Sequence, residues 1–369
     1  MPTYADPEGG RAVLAEALRT WTAALLERFE TPSDIAADVA EILVSADRRA
    51  IASHGTARLP QYLALIEAGV MDPAGRPEPV RSKAAISLFD ANNGWGHHAS
   101  RVAMDAAIEG AREGGSFTAI VRNSNHYGIA GWYALRAADA GLIGISMTNT
   151  SPLVAATRGI DPLVGTNPIA LAAPGGKRGH FCLDMATSTI TRGRIEVASR
   201  RDEDLQPGWA IDAEGRPTTD PAAALEGALL PLGGVEETGG HKGYGLTLLV
   251  DILTGVLGGS TAAPLIAPLF STHGGKSDLG QAFMAIDPDA IDEPGTFEAR
   301  METEFDLITE SRAAPGTPGR ILVPGEPEAE AERRSAERGV VMDREHHQTL
   351  EALGDRAGTP FPATSAIGD

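Results

Sequence analysis

The stretch FTAIVRNSNHYGIAGWYALRAADAGLIGISM, residues 117–147, alternates the two hydrophobic patterns that build an α/β fold. Residues 117–121 are short, apolar and rich in strand-forming side chains, so they predict a strand. Residues 130–140 carry apolar side chains at helical spacing up to Gly141, which predicts a helix that ends there. Residues 142–147 predict the next strand. This order predicts a sheet covered by helices.

The same alternation extends along the chain. Further strands are predicted at 168–173, 181–185 and 281–286, and a buried helix at 243–257. Residues 258–280 are rich in Gly, Ser and Pro and predict a long surface loop. The charged tail, 326–356, predicts helices with a break at Gly339.

The beginning of the chain predicts helices. Thr31 and Asp34 fit a capping box, and Pro32 suits the first helical position. A second helix is predicted from Pro60 to Gly69. We therefore divide the chain into a mainly helical region (1–80) that contains Ser53-His54-Gly55, an α/β region (81–310), and a C-terminal helical segment (311–369) that packs back on the core.

The absence of several common motifs reduces the number of possible fold classes and functions. The sequence has no G-x-G-x-x-G, so a standard Rossmann phosphate loop is not supported. It also has neither a P-loop nor a G-x-S-x-G elbow, which argues against common nucleotide hydrolases and α/β-hydrolases.

Composition and charge limit the partners. The 369 residues are 42% hydrophobic and 22% charged, as in folded globular proteins, with a formal net charge of -19. Such a surface repels phosphate backbones, so we expect no nucleic-acid partner. The single cysteine, Cys182, cannot form an intrachain disulfide, and no Cys/His cluster suggests a metal.

Two features favour a cytoplasmic location. The apolar run 246–257 is interrupted by Asp251 and is too short to span a bilayer. Residues 1–10 contain no apolar core of the kind a signal peptide needs. We therefore expect no membrane partner.

The segment Ser53-His54-Gly55 is the first candidate site, with Arg58 and Tyr62 at helical spacing after it. An arginine grips a carboxylate, a histidine moves a proton near neutral pH and a tyrosine orients. The group would suit an acid–base step on a carboxylate. A helix cap with surface charges fits the same spacing, and the residues alone leave both interpretations open.

A second candidate, Asn123–Gly128, lies between a predicted strand and a helix, where α/β folds bind ligands. Its His126 is by spacing equally consistent with a structural role.

Small hydroxyl and amide residues form a third candidate, because they follow strands at 148–150, 165–167 and 184–188. They fit either ordinary turns or loops that approach a phosphate. Glycines around Lys242 at a helix start suggest an anion site.

These segments, taken together and in this order, resemble the malate/L-lactate dehydrogenase family that is distinct from the Rossmann-type enzymes. The resemblance covers residues 53–326 and rests on SHGTARLPQY, NSNHYGIAG, TNTSPLVA, GTNPIA, DMATS, RGRIEVASR, GWAIDAEGRPTTDP, LLPLGG, HKGYGL and VPGE. That family also contains ureidoglycolate, sulfolactate and diketogulonate oxidoreductases and piperideine-2-carboxylate reductases.

The resemblance implies a family-specific α/β fold with a mixed sheet and flanking helices, and a homodimer with its active site near the subunit interface. It implies hydride transfer between NAD or NADP and a small 2-hydroxy or 2-oxo acid, without a metal. His54 would move the proton, and Ser53, Arg58 and Tyr62 would contact the substrate. The histidine of the NSNHYG segment, here His126, has the proton-transfer role in some relatives. We favour His54 as the acid/base and His126 as a carbonyl-polarising or second acid/base group.

The family's cofactor contacts carry over by position. They would fall on Thr150, Asp184, Met185, Ala186, His241, Lys242, Pro324, Gly325 and Glu326. Small residues after strands allow a cofactor to approach, and Lys242 supplies charge for a phosphate, but one lysine does not decide between NAD and NADP.

One departure concerns His97-His98, where relatives usually carry apolar or amide residues. We expect these histidines, like His180, His273 and His346-His347, to lie on the surface or in loops. If His97 and His98 approached the active site, they would alter substrate preference rather than the reaction class.

Three alternatives stay open at this point. The first is the same fold acting on a cyclic imine, as a piperideine- or pyrroline-2-carboxylate reductase. The second is a hydrolase that uses Ser53, His54 and Asp184, although nothing would hold Ser53 on a strained turn. The third is a non-catalytic small-molecule binder.

Overall fold

The computed structural model describes residues 9–273, 275–316 and 319–366. Within these ranges the helices are α1 (Ala15–Glu27), α2 (Ser33–Arg48), α3 (Leu59–Glu67), α4 (Gly96–Gly114), α5 (Ala130–Asp139), α6 (Arg192–Arg201), α7 (Pro221–Glu226), α8 (Gly240–Asp251), α9 (Thr296–Thr309), α10 (Glu326–Arg338) and α11 (Arg344–Ala357). The strands are β1 (Arg11–Val13), β2 (Glu78–Lys83), β3 (Ile86–Asp90), β4 (Ser116–Ser124), β5 (Ile143–Thr148), β6 (Val154–Ala155), β7 (Pro162–Val164), β8 (Ile169–Ala173), β9 (Phe181–Met185), β10 (Ala210–Ile211), β11 (Pro217–Thr218), β12 (Ala228–Leu229), β13 (Leu279–Ile286), β14 (Val340–Met342) and β15 (Ser365–Ala366).

The main sheet has seven strands in the order β2-β3-β4-β13-β5-β8-β9. β3 and β4 are parallel, whereas β13 runs antiparallel to both β4 and β5 and the remaining pairs are antiparallel. The sheet is therefore mixed, and β13, from late in the chain, lies between β4 and β5. This is the predicted fold class and differs from the parallel Rossmann sheet.

Helices cover both faces of this sheet. α4 and α5 pack on one face, where alanines such as Ala103, Ala107 and Ala134 share one buried core with Val121 and Phe283. Small alanine side chains let these helices lie close to the strands. At Gly144 of β5, a Cβ would overlap the backbone of α5. The other face packs against the end of α8 and the π-helix that follows it, through Val250 and Leu253.

Two smaller sheets complete the structure. Five short strands in the order β11-β10-β12-β6-β7 pack with α6 and α7 around a separate core. A three-stranded sheet, β14-β1-β15, joins both ends of the described chain. There the Trp21 indole donates to the Thr359 carbonyl at 2.8 Å and contacts Phe361 edge-on.

The strongly patterned elements match their predictions. β4, β5, β8, β9 and β13 confirm the five predicted strands, and α3 and α5 confirm two helices. The C-terminal helices are confirmed as α10 and α11, and the break at Gly339 also contains β14.

Two local predictions were wrong. Thr31 does not cap α2, because Pro32 is the N-cap residue and the Thr31 hydroxyl accepts from the Trp95 indole instead. The helix at 243–257 is not buried as a whole. α8 begins at Gly240, continues after Asp251 as a π-helix (Ile252–Val256), and leaves apolar side chains in solvent.

Residues 1–8 lie outside the described residues, so most of the segment 1–10, in which we expect no signal peptide, falls there. The helices predicted after it are present as α1, α2 and α3. The division into regions 1–80, 81–310 and 311–369 stays a prediction. Across the described ranges we find no helix with the length and apolar content of a membrane span.

Candidate active site

A tight turn presents the SHG segment. Two short 3-10 turns, Ala52–His54 and Thr56–Arg58, lead directly into α3, which has Pro60 in its first turn. The Ser53 hydroxyl lies 2.9 Å from Nδ1 of His54, and Nε of Arg58 donates to the Ser53 carbonyl at 2.6 Å. These bonds place His54 and Arg58 on the same turn.

Tyr62 connects this turn to the strand-to-helix corner after β4. The tyrosine is 1% exposed, and its hydroxyl lies 2.6 Å from Nδ1 of His126 and 3.4 Å from Nε2 of His97. The rings of His54 and His126 stack with centroids 5.6 Å apart. The structure thus brings together all five predicted catalytic residues, including His126.

The hydrogen bonds around His126 set its tautomer. Its Nδ1 accepts from the backbone N–H of Gly128 at 3.3 Å and lies within bonding distance of the Tyr62 hydroxyl. Because Nδ1 is an acceptor, the proton of the neutral ring is on Nε2. In this arrangement Tyr62 donates to His126 and accepts from Nε2–H of His97.

Desolvation keeps these imidazoles neutral. Burial, reinforced by the positive charge of Arg58, lowers the pKa of His54 to about 4. Burial lowers the pKa of His97 to about 3 and that of His126 well below its ordinary value. Burial also raises the pKa of Tyr62, so its hydroxyl stays protonated. The resting site therefore holds neutral bases beside one cation.

Arg58 is the cation available to a ligand. Within the described ranges it forms no ion pair, although Asp and Glu outnumber Lys and Arg in the chain by 50 to 31. Its guanidinium lies over the ring of Phe270, 5.4 Å from the centroid. Phe270 also contacts Tyr62 and His126. A guanidinium without a carboxylate partner beside an aromatic ring suits an anionic substrate group.

Sequence reasoning missed two members of this cluster. Phe270 lies in the loop 258–280, where no pattern marked it. His97 was predicted on the surface or in a loop, but it is fully buried in the first turn of α4, with its Nδ1 unpaired among the described residues. The one sequence feature that pointed to His97 is that relatives usually carry an apolar or amide residue at this position.

The surface prediction was also wrong for two other histidines. His98 is buried, and its Nδ1 lies 2.7 Å from Asp38 on α2. His347 is 6% exposed and packs against Phe361. His273 is exposed as predicted.

The predicted cofactor residue Thr150 belongs to a group of small polar side chains at the ends of strands. The Thr150 N–H donates to Asn167, whose amide donates to the Thr247 carbonyl on α8. The Thr247 hydroxyl donates to the Thr187 hydroxyl at 2.8 Å. The TNT, GTN and ATS segments thus meet at Thr247 of α8, whose first turn carries His241 and Lys242.

His241 and Lys242 are exposed at that helix N-terminus, after Gly239 in a left-handed conformation (φ 99°). The exposed cationic side chain of Lys242 at a helix N-terminus favours a phosphate. Met185 and Ala186 lead from β9 toward Thr187, whose carbonyl accepts from the N–H of Leu232.

A second group surrounds β9. The Asp184 carboxylate accepts from the N–H of Gly131 at 2.7 Å, and a Cβ at Gly131 would press on both Asp184 and Cys182. The Pro324 carbonyl accepts from the Cys182 N–H, and Gly325 packs against Cys182. The described hydrogen bonds do not join Pro324, Gly325 and Glu326 to His241 or Lys242, so by these contacts the predicted cofactor residues form two separate groups.

Glu326 closes its own turn. Its Oε2 accepts from the Val323 N–H at 2.9 Å and from Arg320 at 2.8 Å.

The hydrolase alternative needs a chain of hydrogen bonds from Ser53 through His54 to Asp184. Asp184 bonds to Gly131 rather than to His54, so this chain is not formed in the described part of the structure. We also find no group of three or more metal-ligating side chains among the residues that the structure describes.

Neutral imidazoles beside an arginine without an acidic partner are side chains with the chemistry to hold a carboxylate and to exchange a proton. The sequence comparison is more specific, because the model of the malate/L-lactate dehydrogenase family matches residues 13–351. The chain belongs to this family of oxidoreductases.

Named relatives span most of the chain. It is 44% identical over 304 residues to a malate dehydrogenase of Pyrococcus abyssi, covering 82% of this chain and 83% of the relative. It is 34% identical to a Δ1-pyrroline-2-carboxylate reductase of Ancylobacter novellus, covering 86% and 90%. The solved malate dehydrogenase of Pyrococcus horikoshii superposes with a TM-score of 0.88 at 38% identity, covering 96% of this chain and 98% of that one.

The buried imidazoles predict acid sensitivity. The unfolded chain binds protons as the pH falls below the ordinary histidine pKa of 6.5, whereas folded His54 and His97 stay neutral down to about 4 and about 3. Proton binding by the unfolded chain therefore costs no stability above 6.5, and the loss of stability grows as the pH falls from 6.5 toward these folded values. We expect the thermal unfolding midpoint to fall between neutral pH and about pH 5.

The His97→Gln variant should weaken this pH dependence, because it removes one of the depressed pKa values. The exposed His273 provides the control, since His273→Gln should leave the slope unchanged. Identical slopes for wild type and His97→Gln would contradict the assignment of His97 as a buried neutral base.

Proposed function

We propose that the enzyme transfers hydride reversibly between a nicotinamide and C2 of a small 2-hydroxy or 2-oxo acid. In reduction, the 2-oxo acid takes a hydride from NADH or NADPH at C2 and a proton on its oxygen, giving the 2-hydroxy acid. The observation that carries this proposal is the turn that sets His54, stacked on His126, beside the unpaired Arg58.

Each side chain has a role that its contacts support. Arg58 binds the substrate carboxylate through charge-assisted hydrogen bonds. His126, neutral with its proton on Nε2, can donate a hydrogen bond to the substrate oxygen. His54 exchanges the proton, and the exposed Ser53 hydroxyl, 2.9 Å from its Nδ1, connects it to solvent. Tyr62 orients His126.

The cofactor residues fit the chemistry of a dinucleotide. Thr150, Met185 and Ala186 have small or flexible side chains at strand ends, which allow close approach. The Asp184 carboxylate suits ribose hydroxyls, and His241 and Lys242 suit a phosphate. Pro324 and Gly325 contact Cys182, two residues before Asp184, and Glu326 follows them in the chain. The nicotinamide supplies the hydride when it is bound. The choice between NAD and NADP stays open.

We also propose a homodimer. Four apolar side chains along α8 and the π-helix, at positions 249, 252, 256 and 257, are 44–61% exposed. Together they form an apolar stripe of the kind that marks interaction surfaces. A second copy of the chain would cover it. A cytoplasmic location stays a prediction from the sequence.

Reduction of a cyclic imine is the second candidate. One observation favours it, because His54, with its pKa lowered to about 4, is unprotonated near neutral pH. A protonated imine brings its own proton and needs no acid from the enzyme. The pyrroline-2-carboxylate reductase among the relatives belongs to this class.

A substrate panel tests the proposal. Oxidation of NADH and of NADPH is followed optically with pyruvate, oxaloacetate, 2-oxoglutarate, sulfopyruvate, diketogulonate, oxalurate and the two cyclic imines. We expect turnover of at least one 2-oxo acid, which would also identify the cofactor. Exclusive turnover of the imines would establish the second candidate, and no turnover with either cofactor would contradict both.

His54→Ala should lower kcat for a 2-oxo acid by roughly 10²- to 10⁴-fold, the usual contribution of a general acid–base group. Binding of the reduced nicotinamide, measured by fluorescence, should not change. His180→Ala, at a histidine paired with Asp139, serves as the control. Wild-type kcat in His54→Ala would remove His54 from the mechanism, and a much smaller loss with imines would support the second candidate.

Arg58→Gln should raise the apparent KM for the carboxylate substrate about tenfold or more, since hydrogen bonds to charged groups contribute roughly 1.5–3 kcal/mol. It should also raise the pKa of His54, because the charge of Arg58 helps to lower it. Oxidation of the 2-hydroxy acid needs unprotonated His54, so its rate is lost as the pH falls through this pKa.

The pH profile of kcat/KM for oxidation checks this second effect. The acid limb should lie near about 4 in the wild type and shift toward 6.5 in Arg58→Gln. Arg76→Gln removes an exposed arginine that pairs with Asp34 and should change neither parameter. An unchanged KM in Arg58→Gln would place the carboxylate site elsewhere.

A further inference from the structure

The turn that carries His54 and Arg58 rests on a buried carboxylate. Asp47, near the end of α2, is 8% exposed. Its Oδ2 accepts two hydrogen bonds from Thr56, one from the backbone N–H at 2.9 Å and one from the hydroxyl at 2.6 Å. Thr56 lies two residues after His54 and two before Arg58, so this carboxylate fixes the middle of the turn.

The fit between the turn and the carboxylate is close. A Cβ at Gly55 would overlap the Asp47 carboxyl group, so only glycine lets the backbone lie directly on it. A shift of Thr56 away from Asp47 would therefore carry His54 and Arg58 with it.

A histidine from the C-terminal part of the chain completes the contact. Nε2 of His346 lies 3.0 Å from the Thr56 hydroxyl. His346 is held in the first turn of α11, where its backbone N–H donates to the N-cap residue Asp343 at 2.8 Å. Because the Thr56 hydroxyl donates to Asp47, it accepts from Nε2–H of His346.

The contacts of Asp47 also affect the charge of its buried carboxyl group. Burial raises the pKa of Asp47, and the nearby His346 opposes that effect. In the described part of the chain, Asp47 has no arginine or lysine partner and its Oδ1 has no hydrogen-bond donor. The nearby His346 and the two hydrogen bonds from Thr56 therefore both favour the ionised carboxylate, which is the stronger acceptor for Thr56.

We propose that His346 is a positioning residue of the active site, which acts through the Thr56 hydroxyl and Asp47 to hold the turn that carries His54 and Arg58. It touches neither substrate nor cofactor. The inference rests on the proposed function for the roles of His54 and Arg58, but the contact itself is independent of them.

Adjacent histidines provide a matched test. His346→Leu removes the hydrogen bond to Thr56. His346→Gln keeps an N–H near the position of Nε2. His347→Leu is the control, because His347 is more buried but its ring contacts Glu351 and Phe361, away from the turn. The three variants and the wild type are compared by kinetics and by hydrogen exchange.

We expect His346→Leu to raise KM for the carboxylate and lower kcat, together costing roughly 10- to 100-fold in kcat/KM, as expected when catalytic groups are misplaced. His346→Gln should recover most of the loss. His347→Leu should lower the unfolding midpoint while leaving kcat/KM near the wild-type value. If His346→Leu affects only the unfolding midpoint, the inference is wrong.

Hydrogen exchange makes the result independent of turnover. Amides of residues 54–58 should exchange about tenfold faster in His346→Leu than in His347→Leu, because the turn opens more readily without its anchor. If the wild type turned over no substrate but this difference appeared, the proposed function would fail and the positioning contact would stand. Equal exchange at residues 54–58 in the two variants would overturn the inference.

Discussion

The phenol of Tyr62 organises the active site because its hydroxyl is buried without access to water. A buried hydroxyl needs a hydrogen-bond partner. Its partners are His126 from the corner after β4 and His97 from the beginning of α4. Three segments distant in sequence are thereby fixed at one point, and the tautomer of His126 follows from the direction of the bond.

Close packing around the sheet brings those segments within reach. Gly96, at the start of α4, lies so near the backbone of Asn125 and His126 that a Cβ would overlap it. The alanine-rich faces of α4 and α5 also allow both helices to pack closely on β4 and β5. The same packing removes water from the imidazoles, so the fold determines their pKa values as well as their positions.

Sequence patterns predicted the elements whose periodicity is local. β4, α5 and β5 are examples, and the family motifs indicated His54, Arg58, Tyr62 and His126. The three-stranded sheet formed by β1, β14 and β15 could not be predicted, because strands of two or three residues have no detectable period and pair across the whole chain. Similarly, His97 is distinguished from a surface histidine only by tertiary burial, and Phe270 lies in a loop without a pattern.

The contact between Thr56 and His346 could not be predicted from the sequence for the same reason, since it joins residues 290 positions apart. This contact also helps to keep the positive and negative charges of the site apart. Arg58 and Asp47 lie on the same short stretch of chain, and a salt bridge between them would neutralise the cation that the substrate needs. Instead, both donors of Thr56 occupy one carboxylate oxygen of Asp47, and Arg58 bonds to the Ser53 carbonyl. This keeps the Asp47 carboxylate beneath the turn and leaves Arg58 without an acidic partner among the described residues, so under the proposed function a substrate carboxylate meets no internal competitor there. A carboxylate bound in this way would offset the charge of Arg58, which is the smaller of the two causes that lower the pKa of His54, after burial. In the proposed reaction, substrate binding would therefore favour proton uptake by His54.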